Sequence, residues 1–255
     1  MTRVSIFNCV STALDMLKFS TEAIIKNAGT KDFDYIVITW RPSKEVTQYL
    51  NNLVREYFTG GPDITILEYQ TNPDVGFVPN LRGMMNLGFQ VGFDYNDYCG
   101  LVNTDMYFGK DWLKNLVKYT SEDTIVNSVH ITPISGPHVI TANLGMTEFG
   151  KFDMEQFNQI YKREFEDKLE HEDARGGWLA TNTMPYLIPK KYWEAAGPWE
   201  LTDIRNSTPD RRFFQRCHDA GAKFTMAKGS IVYHAEGVER KGKRPNGTKH
   251  MVYDE

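Results

Sequence analysis

The sequence predicts an α/β protein: a mostly parallel central sheet flanked by helices, with a helical insertion in its second half. Strand and helix patterns alternate at short spacing through the first half, which is how parallel strands joined by crossover helices read. Turn signals separate the segments at Asn27-Ala28-Gly29, Gly60-Gly61-Pro62-Asp63 and Asn72-Pro73-Asp74. With 255 residues, 41% of them hydrophobic, the chain is long enough to bury a core of this kind.

Val4 to Val10 is the opening strand and Leu14 to Asn27 a helix. Strands at Tyr35 to Trp40 and Ile64 to Tyr69 follow, then Gly76 and a Gly- and Met-rich helix carrying Asn86-Leu87-Gly88. The apolar run Tyr98 to Val102 ends directly in Asn103-Thr104-Asp105, ahead of a helix-like stretch from Lys110 to Tyr119. A strand that stops on a carboxylate places oxygen ligands at a sheet's carboxyl edge, where open α/β sheets bind ligands and where hard divalent cations find oxygens. Asp and Asn also cap helices and shape turns, so the tripeptide needs its company to be read.

From Met146 to Asp173 the chain becomes a charged helical stretch, with Phe157, Ile160, Tyr161, Phe165 and Leu169 as its apolar stripe. Beyond it come Gly176-Gly177-Trp178, then Tyr186-Leu187-Ile188-Pro189-Lys190-Lys191 with Ala196-Gly197-Pro198-Trp199-Glu200. Pro209-Asp210 opens a helical run containing Arg216 and Gly221, and Ser230 to His234 reads as a last strand. The segment 236–255 is a polar tail in which Arg240, Lys241, Lys243, Arg244 and Lys249 cluster, as solvated tails often do.

A formal charge of −4 argues against general nucleic-acid binding, which needs clustered Lys and Arg. Cys9, Cys99 and Cys217 are odd in number and widely spaced, so neither a disulfide framework nor a zinc site is expected. A reducing, cytoplasmic setting fits them. No run approaches the ~18 apolar residues of a membrane span, and the amino terminus has no signal-peptide pattern.

The order of these motifs, from about Val4 to His234, resembles the inverting nucleotide-sugar glycosyltransferases of family 2, with the GT-A fold. The resemblance implies one GT-A domain over 1–235, with 1–107 binding the nucleotide sugar and 108–235, including the insertion 146–173, binding the acceptor. It implies a divalent metal, Mn2+ or Mg2+, held at a DXD-like motif by Asp105, with His234 as a second ligand. Asn103 stands where that pattern has its first Asp; a neutral amide binds a cation more weakly but still offers a carbonyl oxygen. Asp210 matches the second acid of the family's Glu-Asp and is the expected catalytic base, Pro209 having replaced the first. Asp210 also suits a helix N-cap, and Glu200 and Asp203 are the reserves.

For the nucleotide, the resemblance points to Asn8, Val10 and Ser11 at the first strand's end and to Gly76, Asn86 and Gly88, along with Asn103, Thr104 and Asp105. The family's Asp after the second strand is missing; Trp40 is placed to stack on the base and Arg41 to meet a phosphate. The partners implied are a nucleotide-sugar donor and an acceptor with a free hydroxyl: a saccharide, lipid-linked sugar, protein or modified base. Two other readings stay open. A nucleotidyltransferase would carry a Gly-rich basic loop after the first strand, which Asn8 to Asp15 lacks. A carbohydrate-binding protein that has lost activity fits Asn103 and Pro209.

Overall fold

Each early strand is followed by a helix whose apolar stripe has a sheet face to cover. The computed structural model describes residues 2–10, 14–70, 77–133, 139–145, 152–171, 184–201 and 209–235. β1 (Val4–Val10) leads through α1 (Leu14–Lys26) to β2 (Phe33–Thr39), then α2 (Lys44–Tyr57), β3 (Asp63–Glu68), α3 (Phe77–Tyr95) and β4 (Tyr98–Val102). After β5 (Met106–Phe108) come α4 (Trp112–Val117), β6 (Thr124–Thr132), β7 (Val139–Thr141), α5 (Met154–Glu164) and β8 (Leu169–His171). β9 (Tyr186–Pro189), α6 (Lys190–Ala196), α7 (Pro209–Asp219) and β10 (Lys223–His234) complete the described chain.

The strands form one 10-stranded sheet in the order β3-β2-β1-β4-β9-β6-β10-β5, with β7 beside β6 and β8 beside β10. β1, β2, β3 and β4 are mutually parallel, and so are β6, β7 and β10. β9 runs antiparallel to both β4 and β6, and β5 and β8 run antiparallel to β10. The mostly parallel, helix-flanked sheet expected from the sequence is therefore present, with β9 as the reversed strand joining its two parallel parts.

Alternation along β1 divides the core. Val4, Ile6 and Val10 face α1, α2 and α4, packing with Leu17, Ile24, Leu50 and Trp112, while Phe7 faces α3, α6 and α7, packing with Phe89, Trp199 and Phe213. α2 starts where the Ser43 hydroxyl accepts the Val46 N–H at 3.3 Å, and it buries Val46, Leu50 and Leu53 at helical spacing. α3 rides close to the sheet because Gly88 has no side chain: a Cβ there would lie 2.2 Å from the Phe7 ring. Gly88 thus serves close helix–sheet packing.

Some sequence expectations need adjusting. The charged stripe continues as a helix only to Glu164: Phe157 and Ile160 are buried, but Phe165 is extended at ψ 123 and Leu169 belongs to β8. The chain leaves the helix there because β8 takes up pairing with β10. The stretch 110–119 forms a shorter helix, since Asp111, at φ 59, is its non-helical cap residue and stacks against left-handed Gly29. β6 has no counterpart in the sequence reading; all of its residues are buried, so Asn127, Ser128 and His130 do not mark a solvent face. Asn72-Pro73-Asp74, Gly76, Gly176-Gly177-Trp178, Asp203, Ser11 and the basic tail lie outside the described residues.

Candidate active site

The parallel strands deliver their carboxyl ends to one edge of the sheet. There β1 lies between β2 and β4, with Asn8 in register with Val37 on one side and Val102 on the other. The chain leaves β1 toward β2 and returns to β4 on the opposite flank, so the crevice outside these ends is a topological switch point, the preferred ligand position in such sheets. Asn103-Thr104-Asp105 follows β4 at that crevice.

Asp105 is nearly buried, and its backbone carbonyl accepts the Ala235 N–H at 3.0 Å. The antiparallel pairing of β5 with β10 sets His234 opposite Met106, which brings the His234 Nε2 to 3.3 Å from Asp105 Oδ1. A β-bulge between Ala227 and Ile231 resets the register of β10 before this pairing begins. His130 on β6 lies behind the pair, its ring edge-to-face with His234 at 5.8 Å between centroids. Burial, with His234 as a lesser cause, pushes His130 down to about 3, and neither of its ring nitrogens makes a well-formed hydrogen bond. Thr104 is buried and Asn103 half-buried beside Asp105. Among the described residues no group of three or more His, Cys, Asp and Glu is arranged to hold a metal ion. Asp105 and His234 are therefore a pair of oxygen and nitrogen donors and not a closed shell.

Next along the edge, the Trp40 N–H donates to the Val10 carbonyl at 3.1 Å. The Trp40 ring is half-buried against the core, and the exposed Arg41 guanidinium lies 5.7 Å from its centroid, its backbone left-handed at φ 46. Asn8 turns inward: its Nδ2 reaches Tyr35 Oη at 3.4 Å, and its backbone is committed to the ladders on both sides. Val10 and Trp40 lie nearer the carboxyl ends of their strands than Asn8 does. The Asn86 amide is engaged by the Trp199 backbone: its Oδ1 accepts the Trp199 N–H at 2.8 Å and its Nδ2 donates to the Trp199 carbonyl at 2.9 Å.

Asp210 is the second residue of α7, inside the first turn and not at the cap position. An acid there is favoured by the helix's positive end, and Pro209 suits the first helical position. Trp199 Nε1 donates to Asp210 Oδ1 at 2.8 Å. Burial raises the Asp210 carboxyl above the ordinary carboxylate value, an effect that the Trp199 bond and the nearby Arg82 charge only partly offset. Glu200 is engaged by Arg212 at 2.5 Å and Arg216 at 2.9 Å, and so is placed as a structural anchor. Arg216 also donates to the carbonyls of Ala196 and Pro198, and Gly221 takes the left-handed φ of 92 that ends the α7 region. Sequence reasoning missed His130, Arg82 and the role of Trp199. Only Trp199 carried a signal, as a ring with a donor beside the acidic motif.

No protein-family profile and no curated protein matches the chain. Solved structures do share its fold. The crystal structure of S. aureus TarS 1-349 superposes with a TM-score of 0.62 at 12% identity, over 94% of this chain and 64% of that one. The same protein in complex with UDP gives 0.59 at 11%, over 91% and 61%. GalNAc-T7 with UDP, GalNAc and Mn2+ gives 0.58 at 12%, over 92% of this chain and 44% of that one. The fold is therefore the GT-A glycosyltransferase fold, and this chain spans less than two thirds of the length of these proteins.

Proposed function

We propose that the protein is a metal-dependent, inverting glycosyltransferase that moves a sugar from a nucleoside-diphosphate donor to an acceptor hydroxyl. The observation that carries this reading is the Asp105–His234 pair at the switch point of a GT-A sheet. A carboxylate and an imidazole suit Mn2+ as donors, and a cation held by few protein groups takes its remaining ligands from substrate phosphates. Asp105 and His234 would hold the metal, with the Asn103 amide alongside. The cation would supply charge neutralisation for the departing diphosphate. The GT-A neighbours crystallised with UDP, and in one case Mn2+, support the donor class.

Residues 1–107 form the donor half of this reading, with Trp40 against the base and Arg41 toward phosphate. Residues 108–235, with the insertion 146–173, form the acceptor half. Asp210 accepts the acceptor's proton as the new bond to the sugar forms, and its raised carboxyl suits a base that works toward neutral pH. The acceptor is a saccharide, lipid-linked sugar, protein or modified base. Among the described residues no helix is long and apolar enough to cross a membrane. Cys9, Cys99 and Cys217 are unpaired, which supports a cytoplasmic setting.

Thermal shifts with UDP, GDP, dTDP and CMP, each with and without Mn2+, test the site. One nucleotide is expected to stabilise the protein only with Mn2+, by roughly 2.7 kcal/mol at a hundred times its dissociation constant. Asp105→Ala abolishes the Mn2+-dependent part, whereas Asp210→Asn keeps it and loses turnover. No shift with any nucleotide, or an Asp105→Ala protein that responds like the parent, removes the assignment and leaves the inactive binding-protein reading.

A further inference from the structure

Asp210 belongs to α7, but the group bonded to its carboxylate does not. Trp199 lies on the strap between α6 and α7, buried in an aromatic stack 3.6 Å from the Phe213 centroid and 5.1 Å from that of Phe89. Asn86 grips the Trp199 backbone through both its N–H and its carbonyl. Nearby on α3, Arg82 donates to the Leu201 carbonyl at 3.1 Å, and from the other side Arg216 holds the Ala196 and Pro198 carbonyls. The described part of this strap, residues 197–201, is thus fixed from α3 and from α7. A phenyl ring at position 199 would keep an aromatic face in the stack but lack the indole N–H that ends on Asp210 Oδ1 at 2.8 Å.

We propose that Trp199 is a positioning residue for Asp210: its indole N–H, carried on a strap clamped by Asn86 and Arg216, fixes the orientation of the carboxylate that takes the acceptor's proton. This rests on Asp210 being the base. A donor to an ionised carboxylate is worth more than one to a neutral acid, so the same contact favours the proton-accepting form. The other ionisable groups that act on Asp210 are Arg82 from α3 and Tyr186 from β9. Tyr186 is held neutral by burial, so Arg82 is the charge that most directly complements the indole.

NMR titration tests the contact independently of turnover. The 15N indole signals of the chain's five Trp residues and the 13C carboxyl signals of its Asp residues are followed against pH. The samples are the parent, Trp199→Phe, Asn86→Ala and Asp210→Asn. In the parent, the Trp199 indole signal is expected to move at the Asp210 midpoint, and in Asp210→Asn that movement disappears. Trp199→Phe raises the Asp210 midpoint by about one pH unit, a tenfold change in proton affinity, and Asn86→Ala raises it in the same direction. An indole signal insensitive to Asp210 ionisation overturns the proposal even if Trp199→Phe does not fold; so does an unchanged midpoint in a folded Trp199→Phe. With UDP-glucose and UDP-N-acetylglucosamine as probes, the acid limb of UDP release moves to higher pH in Trp199→Phe. A parent that releases no nucleotide from UDP-, GDP-, dTDP- or CMP-linked sugars sinks the transferase reading, while the NMR result still decides the contact.

Discussion

His130 couples stability to pH. In the folded protein burial holds it at about 3, against 6.5 for an unperturbed imidazole, so it is neutral when folded and takes up a proton on unfolding below about 6.5. Its contribution to stability is intact above 6.5 and declines as pH falls from there toward 3, by up to about 1.4 kcal/mol for each pH unit. Urea midpoints between pH 7 and 4.5 are expected to drop more steeply for the parent than for His130→Gln, which has nothing to titrate; parallel curves would mean that water reaches His130 in the fold. At this scale the sequence was legible where chemistry and local pattern coincide: Asp105 at a strand end, Asp210 at a helix start, His234 closing the last strand. His130 and Arg82 were not, because each acquires its role from a neighbour that only sheet order and helix packing supply. Asn8 and Asn86 were read as ligand contacts, and their side chains have partners inside the fold: Asn8 shares the β1 face of Val4, Ile6 and Val10 and reaches Tyr35, while Asn86 bonds the Trp199 backbone.

Strand β4 is the element on which the site depends most, and Gly100 is its tightest point. A Cβ there would meet the Tyr186 backbone oxygen at 2.2 Å, and a backbone atom cannot swing aside as a side-chain end does. Gly100→Ala is therefore expected to destabilise the protein by about 1–3 kcal/mol, the usual penalty for overpacking, with the loss read as a lower thermal midpoint. An unchanged midpoint would show that β9 yields. β1 and β4 matched their sequence limits because apolar runs bounded by turn or ligand residues leave little choice. β6 escaped because a strand buried on both faces has no alternation, and its hydroxyls find partners within the sheet: the oxygens of Ser128 and Ser230 lie 2.7 Å apart. The stripe after Glu164 overran because Phe165 and Leu169 fit helical spacing equally well, while the pairing of β8 with β10 decided otherwise.

Across the whole molecule, the ladder that unites the parallel parts is short. β9 meets β4 through Tyr98↔Pro189 and Cys99↔Ile188, and β6 through Val126↔Leu187 and Asn127↔Tyr186, whereas β1 and β2 are in register from Val4↔Phe33 to Val10↔Thr39. Hydrogen exchange in mild denaturant is expected to release the amides around β9 before those of Ile6 and Ile36; simultaneous release would make the sheet one cooperative unit. The α/β class was legible from alternation alone, but the reversal at β9 was not, because a brief apolar run carries no mark of direction. The late place of β9 in the chain also matters during synthesis. Once β1 to β4 have left the ribosome, β4 presents a bare apolar edge until Tyr186 emerges, an interval on the order of 4–17 seconds at usual elongation rates. Open strand edges recruit other strands, so this nascent chain needs shelter for its first half before the second half can be its own chaperone.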